Sequence, residues 1–282
     1  MRIDSHQHFW RLQRNDYGWL TPELTALYKD FEPDDLAPLL HVHHIDGTIL
    51  VQAAPTDAET DFLLQLSEQH ESIKGVVGWV DFDNDDAPKH IAVLAKHPKL
   101  VGIRPMIQDI ENVNWMLSAA VSKTLHSLSQ HQLVFDALVK PQHLRNLKTL
   151  VDQHPDLKVV INHGAKPNIK DRELTQWRTD LSAFRNLQNV SCKLSGLVTE
   201  ANSDWHPKDL YPFIDTLFDV FGDQRILWGS DWPVSLLASS YGKWFDAVDW
   251  YVTQNGLSKE KVFGDNAIRI YSLRTHKTEV RV

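Results

Sequence analysis

The sequence predicts an α/β fold, a single (β/α)8 barrel of the TIM type, on three observations. Short apolar runs alternate eight times with amphipathic stretches of helical period. A polar residue ends nearly every apolar run. The 282 residues fit the roughly 250 that such a barrel uses as one domain. Residues 1–272 are therefore read as one barrel domain and 273–282 as a polar C-terminal tail.

The elements follow in order. The first strand is expected over 2–8 and ends in His6-Gln7-His8. The segment 9–32 is long for a βα loop and carries Trp10, Tyr17, Trp19 and Tyr28, so it is expected to cover the barrel mouth as a lid or pocket wall. Pro33 then opens a helix over 33–44, since a first helical turn tolerates proline. A strand over 47–53 precedes a helix over 58–70, and a strand over 75–81 precedes one over 87–97. The fourth strand, 100–106, leads to a helix over 114–131. The fifth, 133–138, leads to a helix over 141–154 that begins at Pro141. Strands over 157–163 and 189–195 are followed by helices over 171–184 and 207–221, the latter starting at Pro207. The last pair is a strand over 225–231 and a helix over 242–255. Strict alternation argues for parallel strands with right-handed crossovers. An open doubly wound sheet is the alternative, but the Gly-rich phosphate-binding turn after its first strand is missing here.

Bulk properties narrow the function. Net charge is −8, which disfavours non-specific nucleic-acid binding. No apolar run approaches the roughly 20 residues of a membrane span. The N-terminus reads as a polar strand and not as a targeting peptide, and Cys192 is the only cysteine. A cytoplasmic location is expected. A homodimer is compatible with such a barrel, although no sequence feature argues for one. Ten tryptophans are mostly packing residues, but Trp10, Trp79, Trp228 and Trp232 lie beside candidate site residues. Flat aromatic walls suit sugar rings and lactones.

Barrel active sites lie at the carboxyl ends of the strands. Those ends supply His6 and His8, Gln52, Trp79 and Asp81, Arg104, Asp136, His163, Lys193 and Ser195, and Asp231. A polar group at the end of a buried strand is costly unless it lines a polar pocket. His6 and His8 stand two residues apart on a strand, so both can face one atom. His41-Val42-His43-His44 repeats the spacing at a helix end, where positions i and i+2 diverge, and is read as surface. Asp4 shares the expected face of His6 and is read as a supporting acid. Arg104 could hold substrate or pair with Asp81 or Asp136, and Cys192 is read as a packed thiol.

The segments Asp4-Ser5-His6-Gln7-His8-Phe9-Trp10, Val101-Gly102-Ile103-Arg104, Val160-Ile161-Asn162-His163-Gly164-Ala165-Lys166-Pro167, Lys193-Leu194-Ser195-Gly196-Leu197 and Leu227-Trp228-Gly229-Ser230-Asp231-Trp232-Pro233 span almost the whole chain. Together they resemble the amidohydrolase superfamily, in particular the sugar-lactonase-like group of its amidohydrolase-2 branch. The resemblance implies a distorted (β/α)8 barrel that hydrolyses a small sugar-acid lactone of the fuconolactone, rhamnonolactone or galactonolactone type. It implies His6, His8, His163 and Asp231 as catalytic residues, with Asp231 activating water and the histidines polarising the carbonyl. Arg104, Lys193, Gln52, Trp10, Trp79 and Trp232 would bind substrate. The same four catalytic residues could hold one divalent metal, zinc foremost. Two-metal members of the superfamily usually carry a carboxylated lysine at strand four, and Gly102-Ile103-Arg104 offers none. Some lactonases of this kind work without metal, so direct polarisation stays open. A zinc-dependent decarboxylase of the same branch and a catalytically silent sugar-binding barrel are the rival expectations.

Overall fold

A computed structural model describes residues 1–274. Eight parallel strands follow one another around the sheet in chain order. They are β1 Ile3–Gln7, β2 Gly47–Val51, β3 Ile73–Gly78, β4 Leu100–Ile103, β5 Val134–Ala137, β6 Val159–Ile161, β7 Val190–Leu194 and β8 Ile226–Trp228. The ring closes just beyond β8, where Asp231 N–H donates to His6 O at 2.8 Å and His8 N–H donates to Trp232 O at 2.7 Å. The expected (β/α)8 barrel is thus the observed fold.

The eight helices that follow the strands are α1 Pro33–Val42, α2 Asp57–Gln69, α3 Ala87–Leu94, α4 Ala119–Gln130, α5 Leu144–Gln153, α6 Thr175–Ser182, α7 Pro207–Phe221 and α8 Tyr241–Gln254. Several expected ranges were too long. β3 starts and ends earlier than 75–81, and α6 starts later than 171 because residues 171 and 172 form a turn. One element was not anticipated. A π-helical turn, Lys261–Asp265, runs into α9, Asn266–Ile270.

Alternation along the strands divides the core in two. Ile3, Ile49, Val51, Val77, Val101, Val134, Val160 and Leu227 fill the barrel interior. Ala267, Ile270, Tyr271 and Leu273 pack into the same cluster and plug the end opposite the site. Leu273 thus lies buried although it belongs to the expected tail, of which 275–282 fall outside the described residues. Their strand neighbours, such as Leu50, Val76, Phe135 and Trp228, face the helices in a larger cluster. No helix among the described residues is long and apolar enough to cross a membrane.

Candidate active site

The carboxyl ends of the strands bring four side chains to one point. β1 carries His6 and its continuation carries His8, while His163 lies just after β6 and Asp231 just after β8. Nε2 of His6, His8 and His163 lies 3.6, 3.3 and 3.9 Å from Asp231 Oδ1. The Nε2 atoms of His6 and His8 are 3.2 Å apart. All four residues are buried.

Unusual backbone makes this convergence possible. His163, Gly164, Ala165 and Lys166 have φ of 53°, 58°, 61° and 50°, and Asp231 has φ of 55°. Left-handed backbone costs a non-glycine residue roughly 1–2 kcal/mol and concentrates where geometry serves a site. Gly196, at φ 61°, leaves β7 beside the pair. A Cβ there would collide with His163 Nδ1 and come within 3.1 Å of Asp231 Oδ2, so only glycine fits.

Hydrogen bonds orient the rings. His8 Nδ1 sits 2.7 Å from Val51 O, a pure acceptor, so Nδ1 carries the proton. In the neutral ring Nε2 then presents a lone pair to Asp231. His163 Nδ1 is bonded to Ser195 Oγ at 2.9 Å. Burial lowers the pKa of all three histidines, that of His163 to about 3, so the imidazoles are neutral. Burial pushes the Asp231 carboxyl up, but the electrostatic influence of His163, His8 and Lys166 outweighs it and holds the carboxyl below its ordinary value.

A cluster of lone pairs and a carboxylate at such spacing is repulsive unless a cation or proton lies among them. His6, His163 and Asp231 offer ligand atoms within 4.8 Å of one another. Zinc bound at 2.0–2.1 Å by four donors would space them about 3.3 Å apart. The His6–His8 and His8–Asp231 spacings of 3.2 and 3.3 Å match that, while His6 and His163 stand wider of Asp231, at 3.6 and 3.9 Å. The neutral nitrogens and ionised carboxylate also suit such an ion. The donor set therefore fits one divalent metal.

Arg104 approaches the same centre. Its Nη1 donates to His6 Nε2 and Asn162 Oδ1, each at 3.4 Å, and its Nη2 donates to Gln52 O. Gln52 Nε2 returns a bond of 2.7 Å to Arg104 O. Gln52 thus holds Arg104 and does not line the cavity. Arg104 pairs with neither Asp81 nor Asp136, the partners the sequence suggested. Asp136 instead takes Lys193 Nζ at 3.2 Å, Tyr271 Oη at 2.8 Å and Asn162 Nδ2 at 2.7 Å.

A cavity of about 280 Å³ opens above the centre, lined by His8, Arg104, His163 and Asp231. Its other walls are Trp19, Leu24, Ala53, Met106, Gln108, Asp109, Leu138, Lys166, Val234 and Leu237. Several expected binding residues lie elsewhere. Lys193 is wholly buried against Asp136. Trp10 packs on Phe31 and Trp19 and donates to Lys29 O, and Trp232 packs on Phe9 and Phe31. Half-buried Trp79 is held through its backbone by Thr60 and also misses the cavity. Asp4 does not share a face with His6, because the register slips between Asp4 and Gln7. Its carboxylate turns to Tyr241 on α8 while bonding the Ser230 and His6 amides. His43 packs on Tyr241 and Phe245, away from the site. Among the residues that were missed, Lys166 stood in the motif around His163, and Trp19 stood in the segment expected to cover the mouth.

Comparison with known proteins adds independent support. The Amidohydrolase family model matches residues 3–273. An L-fucono-1,5-lactonase of Burkholderia ambifaria is 40% identical over 281 residues, which span 96% of each chain. An L-fucono-1,5-lactonase of Burkholderia multivorans is 35% identical and matches over 97% of this chain and 96% of its own. The crystal structure of an amidohydrolase from Burkholderia multivorans with bound zinc superposes with a TM-score of 0.91 at 35% identity, covering 97% of this chain and 100% of that one.

Proposed function

Since the chain belongs to the amidohydrolase family, we propose that it hydrolyses sugar-acid lactones, with L-fucono-1,5-lactone as the first candidate substrate. The observation that carries this reading is the meeting of three imidazole Nε2 atoms with Asp231 Oδ1 beneath a sugar-sized cavity that His8, His163 and Asp231 line.

Asp231 is the general base. Its depressed pKa keeps it ionised at neutral pH, ready to take a proton from a water that attacks the lactone carbonyl. The same carboxyl then returns a proton to the ring oxygen as the C–O bond breaks. The products are a carboxylate and a free hydroxyl. Arg104 holds positive charge at the cavity floor, where the carbonyl oxygen becomes an oxyanion. Gln108, Asp109 and Lys166 offer polar contacts for ring hydroxyls, and Trp19, Leu24, Leu138 and Val234 offer apolar ones.

The oxyanion needs a source of positive charge. Neutral His8 cannot donate to it, because its one N–H is spent on Val51 O. His6, His8, His163 and Asp231 would hold a divalent metal. When bound, that ion polarises the carbonyl and acidifies water. A second reading rests on the Arg104 contact with His6 Nε2 at 3.4 Å, which lets the guanidinium serve alone.

A panel of sugar 1,4- and 1,5-lactones, followed by proton release with and without chelator, tests both points. Proton release from a lactone supports the reading. Loss in chelator with recovery on added zinc assigns the charge to the metal, and survival assigns it to Arg104. Carbon dioxide release from an aromatic acid with no lactone opened would move the protein to the decarboxylase branch.

A further inference from the structure

The catalytic residues leave one wholly buried acid unexplained. Glu59 lies in the first turn of α2, and its side chain is fully buried. Its Oε1 accepts from the Ala53 amide at 2.9 Å. Its Oε2 accepts from Tyr17 Oη at 3.0 Å and lies 3.3 Å from Arg14 Nη2. Tyr17 and Arg14 belong to the segment between β1 and α1, which supplies Trp19 and Leu24 to the cavity.

Ala53 links both sides. Its N–H is held by Glu59, its O accepts from Trp19 Nε1 at 2.8 Å, and it lines the cavity itself. The two preceding residues also serve the site, since Val51 O orients His8 and Gln52 O holds Arg104. Further ties fasten the same segment. Asp16 takes Arg14 at 2.6 Å and Thr56 Oγ1 at 2.9 Å, and the Arg14 guanidinium lies 4.5 Å from the centre of the Phe62 ring.

We infer that Glu59 is a positioning residue that clamps the Trp19 wall of the cavity to the end of β2 and so sets substrate affinity. It touches no reacting atom, so its loss raises KM and leaves kcat nearly unchanged. The kinetic part rests on the lactonase reading, whereas the clamp itself does not.

The test uses Glu59→Gln, which keeps an acceptor for Ala53 but sets an amide donor in place of the oxygen that faces Tyr17 and Arg14, and Tyr17→Phe, which removes the hydroxyl's bonds to both Glu59 and Arg14. Limited trypsin digestion reads the clamp without any substrate, through cutting after Arg11 and Arg14. Lactone kinetics read its consequence. Loss of that buried acceptor should raise KM about tenfold in Glu59→Gln, with kcat within about twofold. Cutting should rise at Arg11 and Arg14 and nowhere else. Cutting that is unchanged, or that rises across the whole chain, overturns the clamp. So does a fall in kcat at constant KM, which would place Glu59 in the chemistry. If wild type opens no lactone, the lactonase reading fails and the digestion alone decides the clamp.

Discussion

At the scale of single residues, buried acids divide by what they touch. Asp231 faces imidazoles and Lys166 and is held ionised, whereas Asp4 meets only neutral donors. Burial outweighs the hydrogen bonds from Ser230, His6 and Tyr241 and raises the Asp4 pKa from 3.8 to about 6. A folded pKa above the unfolded one means that the neutral form carries the stability. That contribution is complete below the unfolded value of 3.8 and is lost as pH rises through about 6. The shift corresponds to about 3 kcal/mol. Asn mimics the neutral acid, so wild type should lose about that much stability relative to Asp4→Asn between about pH 4 and pH 7. Urea unfolding of both proteins across that range checks this, and a constant difference between them would contradict it. The turn of Asp4 toward Tyr241 was hidden from the sequence because a bulge in β1 breaks the two-residue period. His6, His8, His163 and Arg104 were legible because a polar side chain ending an apolar strand has few tolerable places to go.

At the scale of elements, loops and not strands build the cavity walls. Trp19 and Leu24 come from the segment before α1, Met106 and Gln108 from the loop after β4, and Val234 and Leu237 from the loop after β8. Loop residues carry no periodicity, so their part in the site could not be read from spacing. The expected aromatic walls went wrong for a related reason. Trp10 and Trp232 sit beside His8 and Asp231 in sequence but meet edge-on around Phe31, behind the site. The unforeseen α9 leads into a second polar layer. Beyond its end, Tyr271 places its hydroxyl 2.8 Å from Asp136, the partner of buried Lys193. Tyr271→Phe deletes a hydrogen bond to a buried carboxylate and should cost about 1.5–3 kcal/mol in urea unfolding. A cost below about 0.5 kcal/mol would show that the layer tolerates the loss.

At the scale of the molecule, a closed parallel barrel explains how residues 225 positions apart act together. Asp231 N–H bonds to His6 O, so the closure that ends the sheet also joins the two halves of the candidate site. Barrel class was legible because eight strand–helix alternations leave few other topologies. The capped far end was not, since α9 is too short to show a clear period. The proposed chemistry turns on one carboxylate, that of Asp231. The most direct test is proton release from L-fucono-1,5-lactone by wild type and by Asp231→Asn, with circular dichroism on both. Wild type should open the lactone, the variant should lose about 10²–10⁴-fold, and both should keep the same fold. Near-equal turnover by the two proteins would contradict that chemistry.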